Sequence, residues 1–266
     1  MKKNILKKVA IVVPIYKPLN QDEKISFAHL KKHLVKFDRF MVMPETLPQT
    51  NIPTAGFQII RFPDNNFSSV YSYSCLMNTK DFYEQFTGYE YILIYQLDAL
   101  VFSNELLKWC NKGYDYIGAP WFTHIIGDFC TQKGLTANVG NGGFSLRKVA
   151  SFLKVINTVE KTSTKQVSNH YLRKLYFIIS ILTGKSHKKW LNTPPSSYPF
   201  NEDGFWSFEA PKYLKKFKIA PFNEALQFAF EKEPERCFKL NNGKLPFGCH
   251  AWSKYNPIFW KKYITR

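Results

Sequence analysis

Apolar segments alternate with amphipathic segments through the first half of the chain, and this alternation limits the fold more than any other feature. The strand-type segments read KVAIVVPIY, RFMVMP, FQIIRF and YILIYQ. Between them lie QDEKISFAHLKKHLVKF and SSVYSYSCLMNTKDFYEQF, each of which we interpret as one helix. Apolar strands separated by helices favour a mostly parallel sheet that is covered by helices on both faces. We therefore predict an α/β fold in a single domain of 266 residues.

The composition agrees with a reduced, globular protein. Apolar residues make up 45% of the chain, which is enough for a packed core. The five cysteines contain no Cys-x-x-Cys pair, which favours a reduced cytoplasmic protein without a zinc site. The amino-terminal residues resemble a weak signal peptide, but Pro14 and Lys17 interrupt the apolar run. We interpret Lys8 to Ile15 as the first buried strand.

A formal charge of +17 favours anionic partners. The segment from Lys161 to Trp190 contains seven Lys or Arg, no acid and the apolar run LYFIISIL, and we predict a basic helical insertion at about residues 160–190. Eight apolar residues are too few for a membrane span, which needs about 20. Two interpretations stay open: peripheral binding to an anionic membrane at its inner face, or a buried helix with a solvated basic flank. No nucleic-acid-binding motif is present, so we expect no nucleic-acid partner.

Two predicted strands end in residues suited to a ligand site. Ligands of parallel sheets bind at the carboxyl ends of the strands, where Pro14-Ile15-Tyr16 and Gln96-Leu97-Asp98 both fall. A carboxylate such as Asp98 can bind a divalent metal that bridges a diphosphate. The alternative is an Asp that only forms a turn.

Glycines and paired acids mark two loops of the second half. Gly140-Asn141-Gly142-Gly143 lacks both the phosphate-loop and the dinucleotide patterns, so it forms either a tight turn or a close approach to a sugar. Arg147, just beyond, is either a helix-start residue, which we favour, or a phosphate partner. Glu202 and Asp203 precede Phe205 and Trp206, whose rings could raise a carboxyl pKa and stack on a sugar. The alternative is a helix amino terminus with acids that complement its dipole.

The histidines give weaker signals. His250 lies alone in an aromatic loop, where a packed, hydrogen-bonded residue is commoner than a metal ligand. His29 and His33 are four residues apart, but the intervening lysines on an exposed-looking helix argue against a metal clamp.

Five segments resemble, in chain order, the motifs of bacterial GT-A-type glycosyltransferases. They are YILIYQLDALVF, YIGAPWF, VGNGGFSLR, NEDGFWS and FGCHAW. The resemblance is to poorly characterised sugar transferases of polysaccharide gene clusters and, more distantly, to the β-1,4-galactosyltransferases. It spans Lys8 to Trp252 and implies a GT-A-like, Rossmann-type single domain. Residues 1–110 would then bind the nucleotide, and residues 111–266 would carry the acceptor and catalytic groups.

The resemblance also implies roles for individual residues. Gln96-Leu97-Asp98 occupies the place of the metal-binding Asp-x-Asp motif, so the first acid is replaced and dependence on Mn²⁺ or Mg²⁺ stays open. Asp98 and His250 would hold the metal, and Asp203 would be the catalytic base, with Glu202 beside it. The donor would contact Pro14, Ile15, Tyr16, Gln96, Asp98, Gly142 and Gly143.

The activity implied is transfer of a sugar from a nucleotide-sugar donor, UDP-linked, to a hydroxyl of a surface polysaccharide or glycolipid acceptor, with inversion. A nucleotidyltransferase is the first alternative, although the glycine- and basic-rich loop typical of that class after the first strand is missing. A non-catalytic nucleotide-sugar-binding or nucleic-acid-binding protein is the second.

Overall fold

The computed structural model describes residues 7–122, 139–162 and 195–264. The basic segment predicted at about residues 160–190 lies, beyond residue 162, outside the described residues. No helix within the described ranges is long and apolar enough to cross a bilayer.

The first half follows the predicted alternation. Its elements are β1 (Lys7–Pro14), α1 (Gln21–Leu34), β2 (Asp38–Pro44), β3 (Gln58–Phe62), α2 (Val70–Leu76), α3 (Lys80–Glu84), β4 (Tyr89–Tyr95), β5 (Leu100–Val101) and α4 (Leu106–Asn111). Next come β6 (Tyr116–Ile117), β7 (Ala119–Pro120), β8 (Val139–Gly140), β9 (Phe144–Lys148) and α5 (Val149–Thr162). The last part contains α6 (Glu202–Gly204), a π-helical turn (Phe205–Glu209), α7 (Ala210–Tyr213), α8 (Phe222–Phe228), β10 (Ala229–Phe230), α9 (Pro234–Leu240), β11 (Gly248–Cys249) and α10 (Pro257–Lys261).

A six-stranded sheet in the order β3-β2-β1-β4-β9-β6 forms the centre of the protein. Strands β3, β2, β1 and β4 are parallel, whereas β9 runs antiparallel to both β4 and β6. A three-stranded sheet (β10-β11-β5) and a two-stranded sheet (β7-β8) adjoin it. The predicted single-domain α/β fold with a mostly parallel sheet is confirmed.

Strand β1 shows why both faces of the sheet are covered. Successive side chains of a strand point to opposite faces. Val9, Ile11 and Val13 pack in one core cluster with Leu30 and Leu34 of α1. The alternate residues pack in a second cluster that includes side chains of α3 and α5: Ala10 and Val12 with Phe82, Phe152 and Ile156. A strand buried on both faces is continuously apolar, as this one is.

The single helix predicted over residues 68–86 is wrong, because local capping divides it in two. Ser69 accepts a hydrogen bond from the backbone N–H of Ser72 and starts α2. After Leu76 the chain turns, and the buried amide of Asn78 donates to the carbonyl of Pro195 at 2.9 Å. Thr79 then caps α3.

Several chain segments meet at one edge of the sheet. The parallel strands β1 and β4 both end there, at Pro14 and Tyr95. Because β9 is antiparallel, it begins at the same edge, with Phe144 opposite Tyr95. The turn before β9 is joined to the end of β4, where the N–H of Gln96 donates to the carbonyl of Gly143 at 2.8 Å.

Phe205 and Trp206 belong to the core and do not form a surface for a sugar, so the stacking role predicted for them is wrong. Trp206 is fully buried, and its ring stacks on Phe152 with centroids 3.8 Å apart. Phe205 packs edge-on against Trp206 in the same cluster.

We expect Trp206→Ala to lower the free energy of unfolding by about 3–5 kcal/mol, the usual cost of removing a buried aromatic ring. Urea unfolding followed by circular dichroism measures this change. Ile258→Ala, at an 84% exposed position, is the control and should change it by less than about 0.5 kcal/mol. Wild-type stability in the Trp206 variant would contradict the core assignment.

Candidate active site

Gln96, Asp98 and His250 come together at the carboxyl edge of the sheet. The Nε2 atom of His250 lies 3.2 Å from Oε1 of Gln96 and 3.2 Å from Oδ1 of Asp98. The backbone supports this contact, because the N–H of Trp252 donates to the carbonyl of Asp98 at 3.1 Å. Two segments that are 154 residues apart in the chain are thereby joined.

The second nitrogen of His250, Nδ1, lies 3.1 Å from Oε1 of Glu231. Burial alone would lower the pKa of His250, but the carboxylates of Asp98 and Glu231 outweigh it and raise that pKa to about 10. The burial of Asp98 opposes the charges of His250 and Lys254, and the net effect lowers the pKa of Asp98. The imidazole ring therefore lies between two carboxylates.

The donor atoms of this group fit a divalent metal. Carboxylate, amide and imidazole donors all occur among the ligands of divalent metals in proteins. The Oδ1 atom of Asp98 is buried, and among the described residues it makes no hydrogen bond of normal geometry, although it lies near the His250 ring. In the described part of the chain, no three His, Cys, Asp or Glu residues are placed to hold a metal. Asp98 and His250 would supply two donors here, and the nearby amide oxygen of Gln96 would supply a third.

The glycines of the loop before β9 allow side chains to pack against the backbone. A Cβ atom on Gly143 would lie 2.0 Å from Nε2 of His250 and 2.6 Å from Oε1 of Gln96. A Cβ atom on Gly142 would lie 2.0 Å from Oε1 of Glu202. Asn141, at a φ of 89°, forms the turn and accepts from the N–H of Gly143. Donor contacts of both glycines stay a prediction.

Arg147 does not start a helix, contrary to our expectation. It lies in β9 with no exposed surface, and its Nη2 donates to Oε1 of Glu202 at 3.0 Å. Its Nη1 donates to the hydroxyl of Tyr83 at 2.9 Å. Ser74 donates to the other carboxylate oxygen of Glu202 at 3.1 Å. Glu202 is thus a buried ion-pair partner, and the catalytic role predicted for it stays a prediction.

Asp203 follows this ion pair and lies against the glycine loop. Its Oδ2 accepts from the N–H of Asn141 at 3.3 Å, and its Oδ1 accepts from the N–H of Gly204 at 2.8 Å. Burial, together with the negative charges of Glu202 and Glu231, raises the pKa of Asp203 to about 7. Its carboxyl group can therefore gain or lose a proton near neutral pH.

The predicted nucleotide-binding residues at the end of β1 differ in exposure. Pro14 and Ile15 are buried, with the Ile15 side chain packed in the core, and the donor contacts predicted for both stay a prediction. The side chain of Tyr16 is 55% exposed beside the same edge. Only Tyr16 of the three offers an accessible side chain.

We expected the helix face that carries His29 and His33 to be exposed, but His29 is buried. Its Nδ1 lies 3.0 Å from the carbonyl oxygen of Val101. Burial lowers the pKa of His29, which favours the neutral ring.

Three residues near the site belong to none of the sequence motifs described above. Glu231 contacts His250, and Lys254 is close enough to lower the pKa of Asp98. The hydroxyl of Tyr73 forms a hydrogen bond with the side chain of Gln96. The position of Lys254, four residues after His250, is the one signal that could have indicated a cation here.

A family model described as "Protein of unknown function (DUF5672)" matches residues 56–250, which include most of the residues described above. The chain belongs to this family. No curated protein matches the chain.

Three solved structures are similar to the chain. The galactosyltransferase LgtC in complex with donor and acceptor sugar analogs is 10% identical, with a TM-score of 0.51 over 96% of this chain and 95% of that chain. An active-site mutant of LgtC is 11% identical, with a TM-score of 0.49 over 91% and 86% of the two chains. The glycosyltransferase GlyE of Streptococcus pneumoniae TIGR4 is 12% identical, with a TM-score of 0.47 over 98% and 61%. The likeness to LgtC confirms the GT-A-like fold, and at this identity it shows the fold alone.

We expect Arg147→Ala to destabilise the protein by about 3–5 kcal/mol, because the carboxylate of Glu202 is left buried and unpaired. Denaturant unfolding measures this cost, and a cycle with Glu202→Gln tests the pair. Adding Glu202→Gln to the Arg147 variant should recover part of the loss. Lys212→Ala removes the exposed cation that pairs with Glu209 and should cost less than about 1 kcal/mol. Equal losses of unfolding free energy in Arg147→Ala and Lys212→Ala would contradict the buried-pair interpretation.

Proposed function

We propose that the protein is a glycosyltransferase that moves a sugar from a UDP-linked donor to a hydroxyl of a surface polysaccharide or glycolipid acceptor. The observation that carries the proposal is the convergence of Gln96, Asp98 and His250 at the carboxyl edge of the sheet, where α/β proteins bind ligands. The GT-A-like fold supports it, because LgtC, a galactosyltransferase with donor and acceptor sugar analogs bound, has this architecture.

The donor would bind with its diphosphate beside this group. Asp98, His250 and Gln96 would hold Mn²⁺ or Mg²⁺, which when bound neutralises diphosphate charge. Lys254 contributes a further positive charge near Asp98. The exposed ring of Tyr16 is available to contact the nucleotide.

The proposal is tested by screening nucleotide sugars for binding and hydrolysis, with and without Mn²⁺, and then adding glycan acceptors. We expect a UDP-sugar to bind and to be turned over. Binding without turnover on any acceptor would favour the non-catalytic alternative. Failure of every nucleotide sugar to bind, together with salt-sensitive binding of generic DNA, would overturn the proposal in favour of a nucleic-acid-binding protein.

Asp98→Ala should weaken the binding of UDP in the presence of Mn²⁺ by at least about 10-fold, because a metal ligand is lost. The fold should survive, since Asp98 lies in a turn with 43% of its side chain exposed. Calorimetric titration of UDP with Mn²⁺ measures the affinity. Asp81→Ala, at an exposed position of α3, is the matched control. Unchanged affinity in the Asp98 variant would exclude its metal role.

Asp203 is the proposed catalytic base. Its raised pKa suits proton transfer near neutral pH, because a base works best when its pKa lies close to the working pH. The Asp203 carboxylate would take the proton of the acceptor hydroxyl as that oxygen attacks the anomeric carbon. The bond to the donor diphosphate breaks at the same carbon, and the configuration inverts.

Asp203→Asn should lower turnover by about 10²–10⁴-fold while donor affinity stays near the wild-type value. The wild-type kcat/KM should rise with pH to a plateau above about pH 7, because the carboxylate is the reactive form. The residual activity of the variant should lack this rise. Steady-state kinetics between pH 5 and 9, with Glu202→Gln as the neighbouring comparison, measures both effects. Wild-type turnover in the Asp203 variant would contradict the inverting mechanism.

A further inference from the structure

We propose that Glu231 is a positioning residue that holds the imidazole ring of His250 with its Nε2 atom turned toward Asp98 and Gln96. This inference rests on the metal site of the proposed function. It adds a residue that no sequence motif indicated.

The backbone brings Glu231 and His250 together. Strands β10 and β11 are parallel, with Ala229 opposite Gly248 and Phe230 opposite Cys249. The N–H of His250 donates to the carbonyl of Phe230 at 2.9 Å and continues this pairing past the end of β11. Glu231 and His250 are the next residues of the two strands. Strand register therefore places the carboxylate beside the ring.

The ring is held from both sides. Its Nδ1 atom lies 3.1 Å from Oε1 of Glu231, and its Nε2 atom lies 3.2 Å from Asp98 and from Gln96. The side chains of His250 and Glu231 are only 14% and 15% exposed. The ring also packs so closely on Gly143 that a Cβ atom there would overlap Nε2.

This arrangement suits a histidine that binds a metal. Because Nδ1–H donates to the carboxylate of Glu231, Nε2 is the nitrogen that would bind a cation in place of its own proton, and the carboxylate fixes the orientation of the ring. The atom presented to Asp98 and Gln96 is then the one that can bind a cation. Loss of such an outer partner typically weakens metal binding by about 10–100-fold.

The test measures binding of MnCl₂ alone, by electron paramagnetic resonance of free Mn²⁺, to the full-length protein and its variants. We expect Glu231→Ala to bind Mn²⁺ about 10–100-fold more weakly. Glu231→Gln should lose less, because its amide oxygen still accepts from Nδ1–H. Glu235→Gln, which removes the same charge at an exposed position of α9, should bind as the wild type does. Near-ultraviolet circular dichroism checks folding, and Glu231→Ser replaces the Ala variant if that variant does not fold.

Each outcome separates this inference from the proposed activity. Wild-type Mn²⁺ affinity in Glu231→Ala would overturn the positioning role, and equal losses in the Ala and Gln variants would assign the effect to charge and also overturn it. A wild-type protein that binds no Mn²⁺ would overturn the role together with the metal site. Failure of every nucleotide sugar to react, with the expected ranking of Mn²⁺ affinities intact, would overturn the activity alone.

Discussion

The buried ion pair between Arg147 and Glu202 is the interaction on which both the sheet edge and the site depend. A buried guanidinium is stable only when its donors are satisfied, and those of Arg147 reach Glu202, the Tyr83 hydroxyl, Ser145 and the carbonyl of Gly142. Because Arg147 lies in β9 and Glu202 begins α6, the pair joins the central sheet to the segment that carries Asp203. The position of Asp203 against the glycine loop follows from this connection.

The charge near the site differs in sign from that of the whole chain. The protein has a formal charge of +17, yet four carboxylates interact near the sheet edge: Asp98, Glu202, Asp203 and Glu231. Glu202 and Glu231 raise the pKa of Asp203, and Asp98 and Glu231 raise the pKa of His250. Arg147, His250 and Lys254 offset them in part. Burial, together with the charges of Glu202 and Glu231, keeps the pKa of Asp203 high. It also means that an anionic diphosphate would need a cation to bind here, whereas the basic surface would attract the donor from solution.

The sequence predicted those features that depend on local pattern. Apolar runs predicted the central strands, and the rule that ligands bind at strand carboxyl ends brought attention to Asp98. What it missed depends on contacts between distant segments. From the sequence alone, Arg147 resembles a polar helix start, and its ion pair with Glu202 in α6 shows its buried role. Trp206 likewise resembles a surface ring in the sequence, but in the structure it stacks on Phe152 in the core. Glu231 follows a strand of only two residues, which is too short to give an alternating pattern. The helix break at Asn78 combines local capping by Thr79 with a contact to Pro195, 117 residues away.

In the proposed metal site, where the resemblance puts Gln96 in place of the first acid, a neutral side chain fits the electrostatics. The amide keeps an oxygen directed at Nε2 of His250, and the hydroxyl of Tyr73 bonds to the same side chain. A carboxylate at this position would add a negative charge near Asp98 and His250, while burial and the charges of Glu202 and Glu231 already raise the pKa of Asp203 to about 7. A further increase would leave less of the base in its reactive form at neutral pH. A neutral oxygen ligand would bind a cation less strongly than a carboxylate would, but it leaves the charge around Asp203 unchanged. In the proposed site, stronger metal binding and a larger ionised fraction of Asp203 would be opposed, and Gln96 would favour the second.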